Sequence, residues 1–190
     1  MIAWIDIESS NLDERTGHLL EVALVLTYDD LEEFSVMDVV IFPSCGVENL
    51  TMIPLVREMH TKNGLLAEAA SVGVSAQTAE KALMEFVLSQ VKAHSDSSTE
   101  AETVLALKKI PIGGSTIGFD RRWLRHYMPA LEGMFSYRSI DVSTITELAK
   151  RWAKDIYEKR PLGDAHRALA DIRASIALLK YYRNSDFLYL

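Results

Sequence analysis

Three apolar stretches separated by polar turns open the chain. Residues 2–7 are apolar with acidic positions interposed, and residues 19–27 (LLEVALVLT) form a longer run of the kind that lies buried inside a β-sheet. Residues 36–42 continue the pattern and end before Pro43. Because turn-prone residues separate the three stretches, we predict three neighbouring strands in an antiparallel meander.

Helical spacing begins at Ser75, where apolar residues recur every three or four positions through Val91 and predict an amphipathic helix docked on the sheet. Residues 109–115 (KIPIGGS) predict a short strand that leads into two glycines. We then predict a helix over 120–127, a strand over 137–142 and helices over 143–156 and 165–183. Strands first, then strands alternating with helices, indicate an α/β fold with a mixed sheet.

The length of the chain favours one domain, since 190 residues compare with roughly 100–200 per domain. We therefore expect a single domain over residues 1–190. The polar stretch after His94 is too short to mark a domain boundary, and we predict a surface loop over residues 94–108.

Charge and composition limit the classes of ligand and the cellular location that we expect. The formal net charge of −7 argues against a broad basic surface for long nucleic acid, so a polyanionic ligand must be short or metal-bridged. A single cysteine, Cys45, excludes an internal disulfide and favours a reducing compartment. The start of the chain lacks the basic and apolar pattern of an export signal, and no apolar run approaches the roughly 20 residues of a membrane span. We expect a cytoplasmic protein without a membrane partner.

Two acids on the first predicted strand are candidate metal ligands. Asp6 and Glu8 are two positions apart, so both side chains leave the same face about 6–7 Å apart. A solvent-facing edge strand is the simpler explanation for such a pair. The neighbouring Trp4, Ile5 and Ile7 favour the metal, because charges in a buried strand need partners or a cation.

Two further acids and a histidine complete the candidate chemistry. Asp120 follows the glycine turn and Asp171 lies in the last helix, although the first could only stabilise a helix start and the second could only pair with Arg167. Together the four acids could bind Mg²⁺ or Mn²⁺. His166 would be turned about 140° from Asp171 in a regular helix, so it reaches the site as a general base only if the first turn frays. Otherwise it has a capping or surface role.

These residues resemble those of the oligoribonucleases, which are DEDDh 3′→5′ exonucleases of the ribonuclease H-like fold. Besides the acids and the His166-x₄-Asp171 spacing, the similar segments are residues 117–124 (IGFDRRWL), 137–144 (YRSIDVST), 166–172 (HRALADI) and 56–61 (VREMHT) with Gly64-Leu65. The resemblance covers nearly the whole chain apart from the stretch after His94. It implies a mixed five-stranded sheet flanked by helices.

The resemblance also implies an activity. Oligoribonucleases degrade very short single-stranded RNAs, dinucleotides especially, from the 3′ end to nucleoside 5′-monophosphates with two divalent cations. Carried over by position, Asp6, Glu8, Asp120 and Asp171 would hold Mg²⁺ or Mn²⁺, and His166 would deprotonate the attacking water. Two cations roughly 3.5–4 Å apart can stabilise both the attacking and the leaving oxygen at phosphorus.

A substrate pocket and a homodimer follow from the same resemblance. The implied substrate-binding residues are Leu12 as a wedge against a base, Leu55 at a base-stacking position, His60, Thr116, Arg138 and Ser143 around the 5′-phosphate, and Tyr137 from the partner subunit. Without the resemblance, Leu12 would be a core residue and Tyr137 would pack against the sheet. The apolar residues 187–190 either cover the dimer interface or pack on their own subunit.

Several positions depart from the family pattern. Ser9-Ser10-Asn11 replaces Met-Thr-Gly, Asn63 replaces a serine, and Ser115-Thr116 replaces Asn-Ser. Leu55 stands where the family has an aromatic residue, and gives up a ring face that contributes roughly 1–3 kcal/mol per stacked base. We therefore expect a nuclease with a weaker or shifted dinucleotide preference. The alternatives are a broader DEDDh exonuclease acting on longer single-stranded RNA or DNA, and a catalytically silent nucleic-acid-binding module.

Overall fold

The computed structural model describes residues 1–95, 99–163, 166–185 and 187. Within these ranges the sheet has five strands in the order β3-β2-β1-β4-β5. The strands are β1 (Ile2–Ser9), β2 (Leu19–Thr27), β3 (Glu33–Val40), β4 (Ile112–Gly114) and β5 (Ser139–Asp141). β1, β2 and β3 pair antiparallel, whereas β4 pairs parallel with both β1 and β5. The predicted meander and the mixed α/β sheet are confirmed.

Helices flank this sheet. In chain order they are α1 (Pro54–Lys62), α2 (Leu65–Val72), α3 (Ala76–His94), α4 (Glu100–Leu107), α5 (Gly118–Tyr127), α6 (Pro129–Met134), α7 (Val142–Trp152), α8 (Lys154–Glu158) and α9 (Ala168–Asn184), with a 3₁₀ helix over Val47–Asn49. Of the helices that the structure describes, none combines the length and the apolar character needed to span a membrane.

The alternation of side chains along β1 divides the core into two layers. Ala3, Ile5 and Ile7 belong to a cluster with apolar residues of α3 and α5. Ile2 and Trp4 point to the opposite face and pack in a cluster with Ile172 and Ile176 of α9. Since successive strand residues alternate between the two faces, Asp6 and Glu8 follow Trp4 on the α9 side.

One predicted loop is wrong. Residues 100–107, inside the stretch assigned to a surface loop over 94–108, form helix α4. Thr99 starts it with a capping box, because its hydroxyl accepts from Glu102 N while the Glu102 carboxylate accepts from Thr99 N. Thr103 and Leu107 are buried and attach the helix to the core.

Element boundaries differ elsewhere in smaller ways. The predicted helix over 143–156 is divided at Ala153 into α7 and α8, and α9 begins at Ala168 instead of 165. Helices α1, α2 and α6 have no counterpart among the sequence-based predictions. Residues 188–190 of the apolar C-terminal segment lie outside the described residues, while Phe187 packs in a cluster with Tyr182.

Candidate active site

Three of the predicted acids come together between β1 and α9. Asp6, Glu8 and Asp171 each offer a carboxylate oxygen, and these oxygens lie within 4.8 Å of one another. The strand supplies two ligands from one face, and α9, packed on that face, supplies the third. Such a group of hard oxygen donors could hold a divalent cation.

Asp120 approaches the same strand from α5. The residue is 4% exposed, and its Oδ1 accepts a hydrogen bond from Ile7 N at 3.1 Å. Its charge is close enough to raise the pKa of Asp6, although it is outside the group of three carboxylates. The fourth predicted acid is therefore beside the cluster, held in place by the backbone of β1.

Burial and mutual repulsion dominate the electrostatics of the cluster. Burial, followed by the charge of Asp171, raises the pKa of Glu8 to about 8. Burial, followed by the charges of Asp120 and Glu8, raises the pKa of Asp6. Carboxylates in this situation need either protons or a compensating positive charge, and a bound cation supplies the latter.

His166 precedes α9 and does not lie within its first turn. It has a left-handed backbone with φ of 48°, and its carbonyl oxygen accepts a hydrogen bond from the side-chain amide of Asn63. His166 and Asp171 line one cleft of about 560 Å³, together with residues such as Ser115, which follows β4, and Ser175 of α9. The two predicted functional groups therefore share a cleft because the chain is not helical at residue 166.

His60 occupies a different environment from the other predicted substrate-binding residues. It is fully buried, with Nε2 3.1 Å from the carbonyl oxygen of Ser9 and 3.8 Å from Glu8 Oε2. Burial lowers the pKa of His60, which favours the neutral imidazole. The structure thus brings His60 behind the Glu8 end of β1, closed off from solvent.

Two of the other phosphate-binding candidates, Thr116 and Ser143, meet just after the end of β4. Thr116 Oγ1 lies 3.1 Å from Ser143 Oγ. Asp141 joins the two residues, since its Oδ1 accepts from Thr116 N at 3.0 Å and from Ser143 N at 2.9 Å. Arg138 is nearby in sequence, and its guanidinium stacks on the Tyr137 ring at 5.2 Å. The two adjacent hydroxyls are donors suited to a phosphate.

The apolar substrate candidates are exposed. Leu12 is 75% exposed, Leu55 73% and Tyr137 81%. Leu12 is therefore not a core residue, and Tyr137 does not pack against the sheet. Large exposed apolar side chains are available to contact a ligand or a second subunit.

Sequence reasoning missed Glu21 and its partners. Glu21 lies inside β2, whose nine residues are all buried. Its Oε1 accepts from Arg167 Nη2 at 2.6 Å and from Arg167 Nε at 2.9 Å, and Arg167 also bonds Glu68 at 2.8 Å. A lone acid in a long apolar run is the signal that could have identified it, because such a charge requires a partner.

Comparison with known proteins shows the family. Residues 91–179 match the family model described as Exonuclease. An oligoribonuclease of Mycobacterium sp. (strain KMS) is 40% identical over 189 residues, 98% of this chain and 81% of that protein. One of Leifsonia xyli subsp. xyli (strain CTCB07) is 39% identical over 188 residues, 98% of this chain and 84% of that protein. The chain belongs to the oligoribonuclease family.

Two solved structures have folds similar to that of this chain. S. pombe Pop2p in its Mg²⁺- and Mn²⁺-bound form superposes with a TM-score of 0.68 at 12% identity, over 98% of this chain and 84% of Pop2p. E. coli Exonuclease I in complex with a dT13 oligonucleotide gives 0.69 at 14% identity, over 97% of this chain and 41% of the other. The ribonuclease H-like exonuclease fold is confirmed, and membership of the oligoribonuclease family confirms that the chain is a nuclease.

Proposed function

We propose that this chain is a 3′→5′ exoribonuclease that hydrolyses very short oligoribonucleotides, dinucleotides especially, to nucleoside 5′-monophosphates. The observation that carries this proposal is the group of Asp6, Glu8 and Asp171 oxygens within 4.8 Å, beside the cleft lined by His166. It occurs in a chain that is 40% identical to an oligoribonuclease.

We propose two divalent cations, Mg²⁺ or Mn²⁺, held by Asp6, Glu8, Asp120 and Asp171. The donor set fits, because every member is a hard carboxylate and the buried acids lack enough positive charge around them to stay ionised at ordinary pKa values. When bound, the cations supply the Lewis acidity that activates water and stabilises the oxygens at phosphorus. Pop2p, of similar fold, binds both ions.

His166 is proposed as the general base. Its imidazole accepts a proton from water, the water oxygen forms a bond to phosphorus, and the bond from phosphorus to the O3′ of the preceding nucleotide breaks. The 3′-terminal nucleotide then leaves as a 5′-monophosphate. His166 is exposed and lines the cleft, which supports this role because a general base must be able to contact the attacking water.

The substrate pocket is proposed to bind both ends of a dinucleotide. Thr116, Arg138 and Ser143 cap the 5′-phosphate, and the exposed Leu12 and Leu55 contact the bases. His60 is predicted to bind the same phosphate. It is fully buried in the structure, so its contact with substrate requires a local rearrangement. Tyr137, 81% exposed, is proposed to reach the site of a partner subunit in a homodimer. A cytoplasmic location stays a prediction from sequence.

Hydrolysis across substrate lengths tests the proposal. Di-, tri-, penta- and longer oligoribonucleotides are compared with DNA of equal length, with Mg²⁺, with Mn²⁺ and with a chelator. We expect metal-dependent turnover that is fastest on the shortest RNA. A rate that rises with length would contradict a dinucleotide pocket and favour the broader exonuclease. Asp6→Ala and Asp171→Ala are expected to fold without hydrolysing RNA, and unchanged rates in both would refute the metal assignment.

A further inference from the structure

Glu21 is a charge placed where the sheet is most apolar. Every residue of β2 is buried, and Glu21 itself is 0% exposed. It is the register partner of Glu8 on β1, so the two carboxylates lie side by side on the face that meets α9. A buried carboxylate beside another acid is unfavourable unless cationic and hydrogen-bonding groups compensate it.

The start of α9 supplies that compensation. Arg167, the residue before the helix, donates two hydrogen bonds to Glu21 Oε1. Ala168, the first helical residue, donates its backbone N–H to Glu21 Oε2 at 2.9 Å. A carboxylate at a helix N-terminus is favoured by the unpaired N–H groups and by the helix dipole. Both oxygens of Glu21 are therefore used to hold the first residue of α9 and the residue before it.

We propose that the Glu21–Arg167 ion pair is a positioning device that fixes the start of α9, and with it His166 and Asp171, against the acids of β1. His166 immediately precedes Arg167, and Asp171 N donates to the carbonyl of Arg167 in the first turn. β2 pairs with β1 in a register that places Glu21 opposite Glu8. A helix that is held by Glu21 is therefore also held relative to the acids of β1. The inference rests on the proposed roles of His166 and Asp171.

The charge balance of the pair is compatible with cation binding. Arg167 also contacts Glu68 Oε2 on α2 at 2.8 Å, so two carboxylates surround one guanidinium. These three groups have a combined charge of −1, and the arginine therefore does not impose a net positive charge beside Asp6 and Glu8. The bonds between Glu21 and the start of α9 do not involve Glu68. A substitution of Glu68 therefore removes the Arg167–Glu68 contact and leaves the positioning contacts in place.

Three variants and a control test the positioning role. Glu21→Gln and Arg167→Met each remove one partner. Arg167→Met leaves the Glu21 carboxylate buried without its cation, and the double variant removes that charge as well. For all of them, kcat and KM on a diribonucleotide, Mn²⁺ affinity by calorimetry and Tm are measured. Arg173→Ala is the matched control, because Arg173 is on the same helix and pairs with Glu33 of β3 away from the cluster.

We expect both single variants to lose kcat by about tenfold or more, with KM within about threefold, because small displacements of reacting groups strongly affect rate. Mn²⁺ affinity falls by about threefold or more as Asp171 shifts. The double variant recovers Tm relative to Arg167→Met but not kcat, and Arg173→Ala keeps wild-type kcat. If a single variant does not fold, the kcat and Mn²⁺ affinity of the double variant are compared with those of the wild type.

Two results would overturn the proposal: a double variant whose kcat and Mn²⁺ affinity return to wild-type values together with Tm, or single variants with both quantities unchanged. The first would mean that the pair contributes stability alone. Failure of the proposed function gives a different result, because His166→Ala and Asp171→Ala would then retain hydrolysis. The Mn²⁺ affinity of Glu21→Gln would still measure whether the ion pair positions Asp171.

Discussion

Asn63, at the end of α1, is hydrogen-bonded to His166, which precedes α9. Its side-chain amide donates to the carbonyl oxygen of His166, and its Oδ1 accepts from Leu65 N at 3.1 Å. Asn63 ends α1, and Gly64, with φ of 83°, begins α2. A single side chain therefore connects the junction of two helices to the residue proposed as the general base.

Replacing Asn63 with alanine should lower kcat without a matching change in KM. The substitution removes the bond that holds the His166 backbone in its left-handed conformation, and a net hydrogen bond of about 1 kcal/mol corresponds to roughly fivefold in rate. Steady-state kinetics on a diribonucleotide measures both constants. Asn49→Ala is the control, because Asn49 also donates to a backbone carbonyl, that of Cys45, but lies outside the cleft. Equal effects of the two substitutions would contradict the assignment.

The acidic cluster predicts an unusual dependence of stability on pH in protein stripped of divalent ions. The pKa of Glu8 is raised from 4.5 to about 8 in the folded state, and that of Asp6 is raised as well. Between these values the folded protein retains protons that the unfolded chain has lost. The stabilisation is therefore complete below about pH 4.5 and is lost as the pH rises toward 8, by about 1.4 kcal/mol per pH unit for each such group.

Thermal unfolding with a chelator at pH 5, 6.5 and 8 measures this effect. We expect Tm to fall over the series, and Mn²⁺ at pH 8 to raise it again because the cation binds the ionised carboxylates of the folded state. Glu147→Gln, a change in an exposed ion pair on α7, should leave the trend intact, whereas Glu8→Gln should make the fall in Tm smaller. A Tm that rises steadily from pH 5 to 8 in the chelator would be incompatible with the cluster.

Helix α4 depends on its capping box, which makes Thr99 a specific test of the corrected loop assignment. Thr99→Ala removes the acceptor for Glu102 N and should cost about 1 kcal/mol of unfolding free energy. Urea denaturation measures this loss, and kcat should not change because Leu107 packs α4 into the core cluster of α3, whereas the carboxylates lie on the α9 side of the sheet. Ser89→Ala, at an exposed position within α3, provides the control. A stability change no larger than that of the control would mean that the cap is not formed.

The sequence predicted the parts of the molecule in which local pattern determines structure. The bounds of β2 follow from one apolar run, and Asp6 and Glu8 share a face because strand side chains alternate. Thr99 was missed as a cap because the small polar residues around it are equally typical of loops. Glu21 was missed for another reason: its partner, Arg167, is 146 positions away, and only the packing of α9 on β2 brings them together.

Leu55 offers a gain-of-function test of the base-binding surface. It is 73% exposed on α1, at the position where the family has an aromatic residue. Leu55→Trp should lower KM for a diribonucleotide by roughly fivefold or more, because stacking a base on an aromatic ring contributes about 1–3 kcal/mol. Ile53→Trp adds the same ring two positions earlier, at a residue that is 53% exposed, and should leave KM unchanged. If both tryptophans lower KM equally, the gain comes from general hydrophobicity and residue 55 does not contact the base.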